Sequence, residues 1–246
     1  MNRTIMELTA RELLGAKRTL LLGLFALIPV LIAILYRTAG KDLAPDHWAA
    51  NTLYARLIVT TVLPLTALIF GTAAIGSEFE DGTAVYILAR PIERWRVVLS
   101  KLAVAAAATC ILVLLSTLVS GLIATSGEGD AGSIVTGFSI AMVGGSIVYC
   151  CIFVCLSIVT SRALIVGLIY VFLWESVITT LFSGLRVFSV RQYVLGLANR
   201  IASVDSSIYT ARLNGVAAAV LMLVVASLAT VYAVRRLQRW EIGEST

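Results

Sequence analysis

Six apolar stretches alternate with short polar ones along the chain, at approximately 19–36, 56–75, 100–125, 134–159, 163–182 and 214–234. Each is close to the roughly 20 residues that a helix needs to cross a hydrocarbon core. Backbone in lipid has no water to bond to, so stretches of this length are expected to be helices. A strand reading is disfavoured, because no alternating pattern of about ten residues recurs. The pattern predicts an all-α, polytopic membrane protein with six transmembrane helices, built as a single transmembrane domain over 1–246.

Two further segments have helical periodicity without the length or apolarity of a span. Residues 1–18 contain Thr4-Ile5-Met6-Glu7, which fits a capping box, and carry Ile5, Leu8, Leu13 and Leu14 among charges. That pattern suits an interfacial helix on the inner membrane surface. In 183–213, Val187, Val190, Val194, Leu197 and Ile201 recur at three and four residues, with Arg186, Arg191 and Arg200 largely off that stripe. This predicts an outer amphipathic helical segment between spans five and six, interfacial or partly re-entrant.

Composition agrees with the pattern. The chain is 59% hydrophobic and 13% charged, against about 25% charged in soluble domains, which excludes a water-soluble core. The net charge of +5 does not call for nucleic acid, because the basic residues flank apolar spans where lipid headgroups and topology account for them. With both termini inside, twelve Lys and Arg fall on the cytoplasmic side and seven on the other. The chain is therefore expected in the inner or plasma membrane, multi-pass, with N- and C-termini cytoplasmic. Cys110, Cys150, Cys151 and Cys155 all lie in apolar runs and read as small buried hydrophobes rather than bridges or metal ligands.

One loop departs from this economy of charge. Residues 76–92 hold Glu78, Glu80, Asp81 and Arg90, and Glu93, Arg94, Arg96 and Lys101 follow closely. Ser77-x-x-Glu80 reads as an N-cap and capping box, which would put Glu78, Glu80 and Asp81 in the first turn of a short cytoplasmic helix, where the helix dipole favours them. Pro91 disfavours helical geometry at Arg90 and can open the next helix, leaving Arg94, Arg96 and Lys101 at the headgroup level.

The order Gly76-Ser77-Glu78-x-Glu80-x-Gly82-Thr83, followed by Leu88-x-Arg90-Pro91-x-x-Arg94 and Lys101-Leu102, resembles the permease subunits of type 2 ABC (ATP-binding-cassette) transporters. There an E-x-E/D-x-G-T segment leads into L-x-x-P-x-x-R and a K-L that opens the third span. The arrangement of spans extends the resemblance over the whole chain; Val85 departs from it, at a position often acidic or polar. The resemblance implies that the loop is a coupling helix docked into a separate ATPase subunit. Glu78, Glu80 and Asp81 would serve the ATPase contact. Gly82 and Thr83 would set close packing, and Arg90, Pro91 and Arg94 would fix the turn into span three. It further implies two ATPase subunits, a second permease copy or paralogue, and export of a hydrophobic or amphipathic substrate.

The chain itself is not expected to be an enzyme or to bind a cofactor. Its one Gly-Lys pair, Gly40-Lys41, is followed by Asp42 and lacks the upstream glycine of a phosphate-binding loop, so ATP and Mg are expected in the partner ATPase. The alternatives are a non-catalytic membrane scaffold and an intramembrane lipid-modifying enzyme. Asp81-Gly82-Thr83-Ala84 begins like the D-G-x-x-A-R of lipid-headgroup transferases, but Val85 and Tyr86 follow and the next Asp is Asp130. Metal-assisted transfer needs several converging carboxylates. Glu175 is the clearest ionisable residue within a span and a candidate for the substrate path; a pairing with Arg56 or Arg186, or protonation, is the structural alternative. Small residues in spans three and four, Gly137, Gly144 and Gly145 among them, suit close helix approach.

Overall fold

The computed structural model describes residues 3–13, 15–39, 45–80, 93–126, 131–202 and 213–239, and among these the chain is helical with no strand. The helices are α1 (Arg3–Leu13), α2 (Ala16–Ala39), α3 (45–80), α4 (Arg94–Thr125), α5 (Ala131–Val159), α6 (163–181), α7 (Val190–Ala202) and α8 (Gly215–Gln238). Among the described residues, five helical stretches are long and apolar enough to cross a membrane: Thr19–Thr38, Pro45–Gly76, Arg94–Thr125, Gly132–Val159 and Gly215–Gln238. They coincide with five of the six stretches expected from the sequence.

The fifth stretch differs. Its apolar helix, Ala163–Ile178, is shorter than a full span. It is α-helical over Ala163–Ile169, widens to i→i+5 turns over Tyr170–Ile178, and closes with Thr179–Leu181. Ser176 Oγ donates to Val171 O, five residues back. The widened region contains Glu175 on its buried face. Wide turns also run through Ala49–Val62 of α3. Such turns are uncommon and concentrate at functional sites.

Burial separates core helices from lipid-facing ones. Within the most apolar window of each helix, 72% of the α3 residues and 61% of the α5 residues are buried, against 22%, 28% and 17% for α2, α4 and α8. Leu20, Leu24, Leu223 and Leu228 are among the large apolar side chains left outside, as a hydrocarbon solvent permits. In lipid, helices gain little from hiding apolar surface and associate instead through close packing and polar contacts. The glycines follow that rule. A Cβ on Gly71 of α3 would stand 2.9 Å from Phe153 Cβ of α5, so α3 and α5 touch nearly backbone to backbone.

Helix α7 seats on another face of α5. A Cβ on Gly137 would meet Ala202 Cβ at 2.5 Å and Ala202 N at 2.7 Å. Because the obstacle is backbone, Gly137→Ala is expected to lift the end of α7 from the bundle and cost about 1–3 kcal/mol. Thermal denaturation of the purified variant, with cysteine accessibility measured at position 202, checks this. Val190, Tyr193, Val194 and Ala198 are buried, while Val187 and Ile201 are 43% and 38% exposed. The buried face of α7 is thus rotated from the expected stripe.

At the N-terminus, Thr4 is already inside α1, so the expected capping box is not the start of the helix. Glu7 instead pairs with Arg11 at 2.9 Å, one helical turn on.

Candidate functional site

Two polar centres stand inside this apolar bundle. The first is Glu175, which is 2% exposed. Its Oε2 accepts from Ser189 Oγ at 2.5 Å, and its Oε1 accepts from the Val190 N–H at 2.9 Å and the Tyr170 hydroxyl at 3.2 Å. Ser189 Oγ in turn accepts from the Gln192 N–H at 3.4 Å. Ser189 therefore caps α7, and Glu175 takes the first N–H of that helix and sits at its positive end. The Tyr149 hydroxyl of α5 lies beside the same carboxyl group. Neither expected arginine fills this role: Arg186 Nε donates to Thr179 O at 3.1 Å, and Arg56 is exposed.

The depth of this centre follows from helix geometry. Tyr149 is eighteen residues into α5, about 27 Å from its start at 1.5 Å per residue. Val194 and Ala202 of α7 lie against Gly145 and Gly137 respectively. Helix α7 therefore begins within the bundle and runs out to the end where α5 starts. A helix start away from water must find acceptors for its free N–H groups, and Glu175 and Ser189 supply them. The pattern of the sequence marks Glu175 but not Ser189 and Val190, its partners 14 and 15 residues downstream.

The second centre is the end of the bundle where α3 finishes and α4 begins. Helix α3 runs unbroken through Glu80, so Ser77 is not an N-cap, and Glu78 and Glu80 lie in the last turn of α3 rather than the first turn of a new helix. Gly76 packs inside the helix: a Cβ there would stand 3.7 Å from Ser157 Cβ. Asp81, Gly82, Thr83, Arg90 and Pro91 lie outside the described residues.

On the far side of the loop the chain is fastened twice. Arg94 Nη1 donates to Leu237 O at 2.6 Å and Gln238 O at 3.0 Å, capping the carbonyl end of α8 with a cation. Lys101 is 1% exposed and its Nζ donates to Ala74 O of α3 at 2.7 Å. It is thus packed against α3 rather than open to the surface, because α4 begins at Arg94 and carries Lys101 two turns into the bundle. Ile75, Val98, Val154, Ile158, Ala233 and Leu237 close an apolar cluster around these contacts. At the opposite end Arg37 Nη1 plays the same part for α4, donating to Ile123 O and Ser126 O at 3.1 and 2.9 Å.

Arg94→Ala is expected to free the last turn of α8 and cost about 1–2 kcal/mol. Faster hydrogen exchange over 235–239, with the middle of α8 unchanged, would be the measured sign. Unchanged exchange there would remove Arg94 as the cap.

A family model described as ABC-2 family transporter protein matches residues 11–185, more than two thirds of the chain. The chain belongs to the ABC-2 transporter family. It is an integral membrane component of a transporter, in a family whose permeases are generally not catalytic themselves and associate with an ABC ATPase. No individual curated protein matches the chain. In this ABC-2 permease the matched region holds both the charged loop and Glu175, whereas α7 and α8 follow it.

Proposed function

We propose that this permease forms the translocation path of an ABC exporter for a hydrophobic or amphipathic substrate, driven by ATP hydrolysis in a separate subunit. The observation that carries the proposal is the continuity of α3. The most buried span extends without a break into the turn that holds Glu78 and Glu80, and Arg94 and Lys101 tie the returning chain to α8 and α3. A push on the loop would therefore act on three helices at once. A motor outside the membrane needs a rigid lever of this kind, and charges of both signs give the lever a selective surface.

In this reading residues 76–92 are the coupling element, with Glu78, Glu80 and Asp81 toward the ATPase and Gly82, Thr83, Arg90, Pro91 and Arg94 shaping the turn. Both termini are cytoplasmic, α6 supplies the sixth pass together with the 183–188 turn, and α7 is re-entrant. Glu175 belongs to the substrate path as the residue that holds α7, the path's movable wall. Two permeases, identical or paralogous, would act with two ATPases that bind ATP and Mg. The test is co-reconstitution with the cognate ATPase in proteoliposomes. ATP added on the ATPase side should drive an amphipathic fluorescent probe away from that side. Movement toward the ATPase, or none with an ATPase that still hydrolyses, would overturn the export reading.

A further inference from the structure

An open cleft of about 840 Å³ runs between α1, α2 and α4, within the range of about 300–1,000 Å³ typical of small-molecule pockets. It follows α4 from Ala103 to Val119, sixteen residues or about 24 Å of helix axis. Its walls are apolar, and small residues (Gly23, Ala26, Ala107 and Ala108) make them recede. A Cβ built on Gly23 meets nothing within 4 Å. Glycine inside a helix costs about 0.5–1 kcal/mol relative to alanine, and here no neighbouring helix uses the space it opens. Gly71 and Gly137, by contrast, are filled by a neighbour.

The mouth of the cleft is chemically distinct. Met6, Glu7 and Ala10 of α1 form its edge, and Glu7 holds Arg11 at 2.9 Å with both side chains mostly exposed. A carboxylate and a guanidinium thus stand side by side at the polar end of an apolar slot. We infer that this cleft is a specific site for a zwitterionic aminophospholipid of the membrane, with one acyl chain along α2 and α4. The headgroup ammonium meets Glu7 and the phosphate meets Arg11. A leaflet's share of a roughly 30 Å hydrocarbon core is about half that thickness, so a chain in this slot is in contact with protein along its whole length. Such contact distinguishes it from a lipid on an open helix face. An anionic headgroup would set its charge against Glu7, which selects the zwitterionic class.

The experiment uses the full-length permease in nanodiscs of mixed phosphatidylethanolamine and phosphatidylglycerol. Native mass spectrometry after stripping of loosely held lipid should find phosphatidylethanolamine retained in stoichiometric amount. Gly23→Leu, which enters free space and so should leave the fold intact, should lower that retention several-fold. Leu223→Phe on the lipid face of α8 should leave it unchanged. Glu7→Lys should shift the retained species toward phosphatidylglycerol. As a second readout, a phosphatidylethanolamine with a photoreactive acyl chain should label α2 and α4 ahead of α8. Equal retention in the parent and Gly23→Leu, retained lipid that mirrors the bulk mixture, or labelling spread evenly over the helices would each overturn the site. None of these readouts involves ATP or transport, so they stand apart from the test of the export reading.

Discussion

Replacing Glu175 by alanine is expected to cost the permease about 3 kcal/mol or more and to release α7 from the bundle. Three donors converge on this carboxyl group: the Ser189 hydroxyl, the Val190 N–H and the Tyr170 hydroxyl. The Val190 N–H cannot turn elsewhere, because it is the first of a helix that starts inside the bundle. An unpaired buried donor carries the full desolvation penalty, about 1–3 kcal/mol for each group. Glu175→Gln should be milder, since its oxygen can still accept from Val190 while its amide can donate to the Ser189 hydroxyl. The measurement is thermal denaturation in detergent beside thiol labelling of single cysteines along 190–202. Alanine should lower the midpoint strongly and open the start of α7 to label, with glutamine between alanine and the parent. A Glu175→Ala variant with parental stability and parental labelling would remove Glu175 from the role of cap.

The second large effect is expected at the end of α3. Glu78→Lys and Glu80→Lys should each weaken binding of the ATPase subunit by at least about tenfold, which is 1.4 kcal/mol, and abolish ATP-driven transport. The fold should survive, because the buried apolar residues described in α3, from Ala49 to Ile75, precede that turn. Size-exclusion profiles would confirm an intact permease, and ATPase binding would be measured on the same preparations. Parental recruitment and parental stimulation in both variants would end the assignment of these glutamates to the contact.

Much of the fold is legible in the sequence because lipid imposes a simple rule: a segment that crosses must be long, apolar and helical. Five spans follow directly from that rule. Gly137 was also legible, as a small residue inviting a close neighbour, although nothing local says that the neighbour is Ala202. The fifth stretch is legible only in part, because hydropathy averages over a window. One carboxyl in an otherwise apolar run barely changes the mean, yet its bonds to Ser189 and Val190 accompany a widened, shortened helix and a helix that turns back. Those partners are non-local, and periodicity cannot find them.

The charged loop carries the same lesson in the other direction. Ser77-x-x-Glu80 satisfies the local rule for a helix start, but the preceding helix is still running at these residues, with Gly76 packed against Ser157. Lys101 sits at the edge of an apolar run and looks like a headgroup anchor. Its burial is decided by the carbonyl of Ala74, which a lysine stem of this length can reach. Arg94 reads as a turn residue, and its partners, the carbonyls of Leu237 and Gln238, lie 143 and 144 residues away. In each case residue type was informative and the partner was not, since the partner is set by how helices stack.

The decisive experiment is purification of the tagged permease from its native host in nanodiscs, with identification of the proteins that co-elute. A P-loop ATPase in stoichiometric amount, lost on Glu78→Lys, is the expected result. A folded permease that elutes alone, or with unrelated proteins, would contradict a coupling role for residues 76–92 and leave a membrane scaffold as the better description.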